Sequence, residues 1–239
     1  MNPQDYPTID QFAAHIAAVQ GKIEIIRQPL YDRLLYPTAG LTVFSFFSLP
    51  IGNGFSSEPL AAAGVKSLSD TNMTQNGQLP SPQAFWLEDI QVYAESGGVA
   101  TANLYSAVPP VQALAIAAVA AGNAGIIDKF AILSSGGFLV LTIGQKPYFT
   151  DGPLYTFPPK HRMRLDGTIG NSDTTTHNMV AGFAAYADGE PRRIVPGLGL
   201  ATGFNFGIEV RYPVLIPTPS GFNARVKVSM GGWLFRAAQ

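Results

Sequence analysis

Apolar residues occupy every second position over residues 222–230, and polar residues fill the positions between them. The same period of two runs through residues 203–213. Successive side chains of a β-strand point to opposite faces, so this alternation predicts two strands that each bury one face. The pattern breaks at Gly231–Gly232, which precede three large apolar residues at positions 233–235. We therefore expect the strand at residues 222–230 to end in a bend, followed by an aromatic tail.

Other segments also have the character of strands. Residues 41–49 are rich in β-branched and aromatic residues, which indicates a buried strand. Residues 138–143 are expected at the centre of a sheet because they are apolar on both faces. Residues 84–95 alternate, with a change of phase at Glu88–Asp89 that indicates a bulge or bend. A return strand is expected within residues 136–159. The segments predicted as long loops are residues 50–83 and 160–190.

Two helices are predicted. The first covers residues 8–28, where Thr8 and Gln11 have the spacing of a capping box and apolar residues recur at intervals of three and four. The second lies at about residues 111–121, in an alanine-rich stretch that continues to Ile127. That stretch is shorter than the roughly 20 apolar residues that span a bilayer. We expect a buried or interface helix there, with membrane contact as the alternative.

The arrangement of these segments favours a single all-β domain. The 25 glycines and 19 prolines are spread along the chain, as in sandwiches with many turns, and no repeated βαβ pattern is present. Long connections that carry helices favour a single jelly-roll β-sandwich over an immunoglobulin-like one, with the N-terminal helix and the alanine-rich helix at its periphery. We expect an N-terminal helical arm over residues 1–35 and a jelly-roll domain with long loops over residues 36–239.

Charge is scarce in this chain, with 13% charged residues against 46% apolar ones. The cores of protein interfaces are depleted of charge, so such a neutral composition favours self-assembly or a stable partner. Residues 1–100 carry four basic and nine acidic side chains, whereas residues 190–239 carry six and two. This asymmetry is able to orient subunits or to face a polyanion. The chain lacks cysteine, which excludes disulfide and thiolate chemistry.

The sequence carries no motif that indicates catalysis, and we predict neither an enzyme activity nor a cofactor or metal site. The glycines of residues 197–203 lack the spacing and the following helix of a phosphate-binding loop, so they are interpreted as turn glycines. Glu88 and Asp89 are adjacent, and adjacent residues of a regular strand point to opposite faces. They therefore do not predict the facing carboxylates of a glycoside hydrolase.

Two groups of basic residues are candidates for contact with a nucleic acid or with the inner surface of an assembly, because basic side chains bind phosphates through charge. One group follows Phe157-Pro158-Pro159; the other lies on the polar face of strand 222–230, with Arg211 as a candidate neighbour. A solvated sheet face and ion pairs between subunits are the alternatives. The candidate residues are Lys160, Arg162, Arg164, Arg225 and Lys227.

Apolar residues near both ends of the chain are candidates for a subunit interface. Those of the N-terminal helix form a seam along one face, which either packs on the chain's own sheet or reaches a neighbour. The aromatic tail has the same two destinations. The candidate interface residues are Phe12, Ile16, Ile23, Trp233 and Phe235.

The sequences GFNFGIEVRYP and FNARVKVSMGGWLFR, separated by a proline-rich loop, resemble the closing strands of jelly-roll capsid proteins from tailless icosahedral phages. GGFLVLTIGQKPYFTDGPLYTFPP resembles a central strand with its return hairpin in the same family. The resemblance covers roughly residues 136–239. It implies a virion protein that assembles with itself, as trimers or pseudo-hexameric capsomers, and with other virion proteins into an icosahedral shell around the genome. It implies no catalytic residues, and basic side chains would face the genome or an internal membrane.

One departure from the family concerns length, since double jelly-roll shell proteins are usually considerably longer than 239 residues. A single elaborated jelly roll therefore fits better than two. The alternative function is a carbohydrate- or receptor-binding β-sandwich, such as a phage spike or a lectin-like module. Sugar sites combine exposed aromatic residues with Asp and Asn, and the candidate aromatic residues are Trp86, Tyr93, Tyr148 and Tyr155.

Overall fold

A computed structural model describes residues 7–37, 39–54, 64–99, 136–160, 162–170, 178–186, 189–217 and 222–238. The predicted alanine-rich helix lies outside these residues. The described chain contains helix α1 (Ile9–Gln20), a short 3₁₀ turn (Leu154–Thr156) and eleven strands. The strands are β1 (Ile23–Arg27), β2 (Leu30–Leu35), β3 (Val43–Phe46), β4 (Ala84–Val99), β5 (Phe138–Ile143), β6 (Lys146–Asp151), β7 (Arg162–Gly170), β8 (Asn178–Tyr186), β9 (Arg192–Leu200), β10 (Phe206–Arg211) and β11 (Phe222–Ala237).

Two antiparallel sheets form the sandwich. Sheet A has the order β1-β11-β4-β9, and β2 pairs with the other half of the long strand β11. Sheet B has the order β3-β10-β5-β6, and β7 and β8 form a separate hairpin. From β2 to β11 the strands of the two sheets alternate along the chain, apart from the β5–β6 hairpin. This double Greek-key connectivity of eight strands is a jelly roll, which confirms the predicted fold class.

The main core fills the space between the sheets. Each sheet contributes the residues of its inward face, and alternate positions along the strands point there. The two strands predicted from a period of two both contribute to this core as expected, with Phe206, Ile208 and Val210 from β10 and Val226, Val228 and Met230 from β11. Strand β5 lies between β10 and β6, so the prediction of a central strand at residues 138–143 is confirmed.

Helix α1 is shorter than the sequence pattern indicates. It begins after Thr8, whose hydroxyl accepts a hydrogen bond from the Gln11 amide at 3.3 Å, and ends before Gly21, whose φ of 81° lies in the left-handed region. The helix prediction for residues 21–28 is wrong, because residues 23–27 form β1 and pair with β11. Residues 30–35 form β2 in the same sheet. The segment predicted as a helical arm therefore contains two strands of sheet A.

Strand β11 does not end at Gly231–Gly232. It continues to Ala237 between β1 and β4, with a register shift against β4 at the two glycines. Leu234 points into the main core, whereas Trp233 and Phe235 lie on the face of sheet A that points away from sheet B, here called the outer face. The prediction of a bend followed by an aromatic tail is wrong, since β1 supplies backbone partners for the last five residues of the strand.

The two predicted loops carry more structure than expected. Residues 162–170 and 178–186 form the β7–β8 hairpin within the loop predicted over residues 160–190. In the loop predicted over residues 50–83, the part around Asp70–Asn72 lies along β2 and exchanges backbone hydrogen bonds with Tyr31 and Arg33. This segment covers the edge of β2 that is not paired with β11, where an open strand edge would otherwise expose unpaired backbone groups.

Candidate functional site

Helix α1 packs on the outer face of sheet A and forms a second, smaller core there. Phe12 and Ile16 contact Trp86 and Phe235, with the Phe12 ring 5.5 Å from the Trp86 ring and 5.3 Å from the Phe235 ring. Alternate glycines of β9 make this close approach feasible. A Cβ at Gly197 would lie 2.6 Å from the Trp86 ring, and one at Gly199 would lie 2.5 Å from the Phe12 ring. Gly197 and Gly199 belong to a strand, so their interpretation as turn glycines is wrong, whereas Gly203 lies in the turn after β9 with a φ of 81°.

A β-bulge beside this core places two carboxylates on one face. Leu87 pairs with Gly232 and Asp89 with Gly231, so Glu88 is the extra residue of β4. Leu87 and Ile90 both point into the main core, which leaves Glu88 and Asp89 together on the outer face. The predicted bulge is confirmed. The inference that the two carboxylates point to opposite faces is wrong, because it assumed a regular strand and a bulge re-aims its side chains.

The outer face carries a cleft of about 580 Å³ at this point, which we call the bulge cleft. Helix α1 borders it with the residues before and at its first turn, β4 provides the floor with Trp86, and residues 189–197 form the opposite wall. Opposite the bulge, the register between β9 and β4 shifts: Leu198 pairs with Leu87 and Arg193 with Asp89, so the four residues 194–197 of β9 face the single residue Glu88. The ionisable residues that line the cleft are Arg27, Lys160, Arg193, Glu88, Asp89 and Glu190.

Hydrogen bonds hold the carboxylates of the bulge in place. The Glu88 carboxylate accepts a hydrogen bond from Trp233 Nε1 at 2.8 Å and lies 3.9 Å from the Arg27 guanidinium. That guanidinium lies over the Trp233 ring, 5.3 Å from its centroid. The Asp89 carboxylate accepts from Gln91 Nε2 at 2.8 Å. Side chains of the adjacent strands β11 and β1 therefore orient Glu88, whereas Gln91 of the same strand orients Asp89.

A polar row continues from Asp89 along the outer face of β4. Gln91 Oε1 accepts from the Tyr93 hydroxyl at 2.7 Å and from the backbone amide of Lys160 at 3.0 Å. The second contact joins the polar row to the segment that leads into the β7–β8 hairpin. The Lys160 carbonyl in turn accepts from the amide of Gly189, which follows the hairpin. Lys160 is thus fixed at the rim of the cleft by its backbone while its side chain is exposed.

The structure separates the five basic residues predicted to contact nucleic acid. Lys160 lies at the bulge cleft. Arg162 and Arg164 lie on β7, opposite Tyr186 and Ala184 of β8, and their side chains fall outside what the structure describes. Arg225 and Lys227 lie on the outer face of β11. Arg225 is buried there, with only 8% of its surface exposed. Contact with a nucleic acid stays a prediction for all five.

Lys227 is held between two aromatic rings. Its ammonium lies 5.2 Å from the centroid of Tyr31 on β2 and 5.1 Å from that of Tyr93 on β4. The basic neighbour of Lys227 is Arg33, which pairs with it across the β2–β11 ladder. Arg211 was predicted for this role, but it lies in sheet B, where its guanidinium bonds the Glu209 carboxylate at 2.6 Å. The alternation of strands between sheets separates β10 from β11.

The residues predicted for a subunit interface gather around helix α1. Phe12, Ile16 and Phe235 are buried within the chain in the smaller core, and Ile23 and Trp233 are partly buried against it. The seam of the helix thus packs on the chain's own sheet, which was the first of its two expected destinations. A role of these residues in contacts between subunits stays a prediction.

The aromatic residues considered for a sugar site do not form one cluster. Trp86 is buried beneath helix α1 and lines the bulge cleft, whereas Tyr93 contacts Lys227. Tyr148 lines a separate cavity of about 280 Å³ between the edges of the two sheets, where Arg192 and Asp151 form an ion pair at 3.0 Å. Tyr155, on the 3₁₀ turn, is exposed.

A buried ion pair joins β2 to the segment along its edge, residues 66–72, which we call the strap, and no feature of the sequence predicted this pair. Lys66 Nζ lies 2.5 Å from Asp32 Oδ1, and both side chains are 1% exposed or less. Asp32 also accepts hydrogen bonds from the amides of Phe47, at 2.7 Å, and Arg33, at 3.1 Å. Burial raises the pKa of Asp32, and the charge and hydrogen bonds of Lys66 and these amides oppose that rise. The pair ties β2, the end of β3 and the strap together.

Comparison with known proteins gives this chain no relatives: no family model, no curated protein and no solved structure matches it. Within the part of the chain that the structure describes, no three His, Asp or Glu side chains gather closely enough to hold a metal ion. In the same residues, no helix is long and apolar enough to cross a membrane. The stretch considered for membrane contact, residues 111–127, lies outside them.

Of the cleft residues, only Lys160 and Trp86 were candidates at the level of sequence, although one signal existed for the two carboxylates. The change of phase at Glu88–Asp89 predicted a bulge, and a bulge in an otherwise alternating strand turns two consecutive side chains to one face. Arg27, Glu190 and Arg193 carried no comparable signal, because they reach the cleft from β1, from the segment before β9 and from β9, which are far away along the chain.

The bond between Trp233 and Glu88 gives a first prediction. Trp233→Phe retains most of the ring packing but removes the Nε1 donor, and we expect it to lower the free energy of unfolding by about 1–3 kcal/mol. Urea unfolding measures this change. In a Glu88→Gln background the donor meets a neutral acceptor, so the same substitution is expected to cost less. An equal cost in both backgrounds would show that the negative charge of Glu88 adds nothing to the strength of this bond.

Proposed function

We propose that this protein is the subunit of a self-assembling shell, an icosahedral capsid that encloses a genome. The observation that carries the proposal is the fold itself: one eight-strand jelly roll, with the strand orders β2-β11-β4-β9 and β3-β10-β5-β6. Jelly rolls recur in viral capsid proteins, and also in lectins and cupins. A fold alone does not define a function, so the character of the surface has to support the choice.

An exposed apolar patch at one end of the sandwich supports self-assembly. Leu41 and Val43, at the start of β3, and Val214 and Leu215, after β10, are exposed large apolar residues. Pairing of β3 with β10 brings these segments together, since Val43 lies opposite Arg211 and the Tyr212 amide donates to the Thr42 carbonyl at 2.8 Å. Grouped apolar residues on a surface mark contacts with other molecules. We call these four residues the end patch.

The expected partner of the end patch is a second copy of this chain. Only 13% of the residues in the whole chain are charged, so two copies repel each other little. Interface cores depleted of charge are the usual arrangement in homo-oligomers. A trimer is the expected building block, located in the virion, with other virion proteins as further partners. Contact with the genome would fall to Lys160, Arg162 and Arg164, which adjoin the base of the hairpin.

A variant of the end patch tests the proposal. The wild-type protein is expected to form trimers or larger particles, measured by analytical ultracentrifugation and electron microscopy. Val214→Asp combined with Leu215→Asp is expected to abolish these species, because burying two carboxylates in an apolar contact is costly. Its free energy of unfolding should change by less than about 1 kcal/mol if the substituted positions remain at the surface.

Val19→Asp is the matched control, because Val19 is 68% exposed on helix α1, away from the end patch. This variant is expected to assemble as the wild type does. Particles that persist in the double variant would place the contact elsewhere on the surface. A wild-type protein that stays monomeric at high concentration and under varied ionic strength would overturn the shell function itself.

A further inference from the structure

We propose that the bulge cleft binds a neutral oligosaccharide. The proposal concerns a site separate from the end patch and does not depend on assembly. At about 580 Å³, the cleft has the size typical of sites for small ligands, which bury most of such a ligand and orient it through a few polar groups. Its position on the outer face of sheet A leaves it open beside helix α1.

The charges around the cleft favour a neutral ligand. Three basic residues and three acidic residues line it, so their formal charges cancel. A free phosphate or a polyanion would meet the carboxylates of Glu88 and Asp89, and a polycation would meet Arg27, Lys160 and Arg193. A ligand with many hydroxyl groups suits both sets at once, because each hydroxyl donates to a carboxylate and accepts from a guanidinium or an ammonium.

The carboxylates at the bulge are already oriented to accept hydrogen bonds from a ligand. Glu88 is half-buried and oriented by Trp233 Nε1, and Asp89 is half-buried and oriented by Gln91 Nε2. A bound hydroxyl would therefore find acceptors whose conformational entropy is already lost, which lowers the cost of binding. Gly231 contributes to the same geometry, because a Cβ there would overlap the Asp89 carboxylate. The bulge thus creates both the facing carboxylates and the space in which they lie.

Apolar surface for the ring carbons of a sugar is also present. Ile9, Ile194 and Pro196 contribute apolar atoms to its walls, and Trp86, of which 4% is exposed, forms part of the floor. Sites that combine such surface with a small number of placed polar groups fix both the face and the orientation of a ligand. The other aromatic residues considered for sugar binding lie elsewhere, so this cleft is the site at which the described chain combines an indole with paired carboxylates.

The two tryptophans of the chain provide a local measurement. Trp86 lines the cleft, Trp233 bonds the Glu88 that lines it, and the chain has no third tryptophan. Intrinsic tryptophan fluorescence therefore reports on this site. The protein would first be applied to an array of neutral glycans, and then titrated with the best binder and with chitotriose, maltotriose and lactose as probes. We expect saturable changes in fluorescence with at least one of them at concentrations up to about 10 mM, where a site with a Kd of 1 mM is mostly filled.

Asp89→Asn is the decisive variant, since it keeps the size of the side chain and removes its charge. We expect it to weaken binding about tenfold or more, because a charge-assisted hydrogen bond to the ligand is lost. Glu209→Gln is the matched control on sheet B, where the carboxylate contacts Arg211 and not the cleft; it should bind as the wild type does. Circular dichroism and the thermal midpoint of each variant show whether the fold is retained.

Three results would overturn the proposal. They are the absence of any fluorescence response to the array binder and the three probes, an unchanged affinity in a folded Asp89→Asn variant, and a stronger response to inorganic phosphate or to trilysine than to every sugar. Sedimentation of the same samples separates this site from the shell function. Sugar binding by a monomer would contradict the shell alone, whereas particles without sugar binding would contradict the cleft alone.

Discussion

Lys66→Met is expected to lower the free energy of unfolding by about 3–5 kcal/mol, the cost of leaving one partner of a buried ion pair without the other. The Asp32 carboxylate would remain in place, with essentially none of its surface exposed. The amides of Phe47 and Arg33 would still donate to it, but no positive charge would offset its desolvation. Since domains have only about 5–15 kcal/mol of stability, urea unfolding should show a large shift of the midpoint.

The dependence of this effect on pH follows from the pKa of Asp32. Burial raises that pKa above its ordinary value of 3.8, and Lys66 opposes the rise. A carboxyl whose folded pKa exceeds its unfolded pKa binds more protons in the folded state, so its contribution to stability is complete below the unfolded pKa and is lost as the pH rises through the folded pKa. Removing Lys66 raises the folded pKa further. The destabilisation should therefore be larger at about pH 7.5 than at about pH 5, where the variant protonates Asp32 more readily.

A double variant provides the control. Asp32→Asn combined with Lys66→Met removes both charges and retains a carbonyl oxygen that accepts from the Phe47 amide. It is expected to be more stable than Lys66→Met alone, because replacing both members of a buried pair is far less costly than removing one. Equal stability of the double and single variants, or a loss in Lys66→Met that does not change with pH, would show that the carboxylate is not desolvated as the structure indicates.

The fold was largely predictable from the sequence because each strand of a sandwich buries one face, which places apolar residues at every second position. Residues 206–210 and 226–230 display that period openly. The end of helix α1 was not predictable in the same way, since Ile23 and Ile26 continue its spacing of three and four. Their strand conformation depends on β11, a partner more than 200 residues away along the chain. Local periodicity contains no information about such a partner.

The candidate site was less predictable than the fold, and the reason is geometric. Its carboxylates depend on a bulge. The sequence pattern predicted the location of this bulge, but Glu88 and Asp89 were still expected on opposite faces, as in a regular strand. Its cations come from β1, β9 and the segment before β7, which only the tertiary structure brings together. Buried Lys66 was hidden for a related reason, because a lysine in a segment rich in Gly, Ser and Asn has the pattern of a solvated loop.

Gly232→Ala is expected to have the second large effect, a loss of about 4 kcal/mol or more that prevents stable folding. A Cβ at this position would overlap the carbonyl oxygen of Trp86 and would lie 2.9 Å from the Phe85 ring. Both residues belong to β4, and the overlapping atom is part of its backbone. The backbone is unable to move away without breaking the ladder in which Gly232 pairs with Leu87. Circular dichroism and limited proteolysis of the purified variant measure the outcome.

Gly207→Ala is the matched control, because Gly207 also lies inside a strand and a Cβ there would meet only the Phe46 carbonyl, at an ordinary 3.7 Å. We expect this variant to be at least as stable as the wild type, since glycine inside a strand is about 0.5–1 kcal/mol less favourable than alanine. Gly231→Ala should lie between the two, because the group it displaces is the Asp89 side chain, which is able to rotate. A folded Gly232→Ala protein of wild-type stability would mean that the bulge at Glu88 does not bring the two strands as close as the structure places them, and the shared face of Glu88 and Asp89 would then lose its basis.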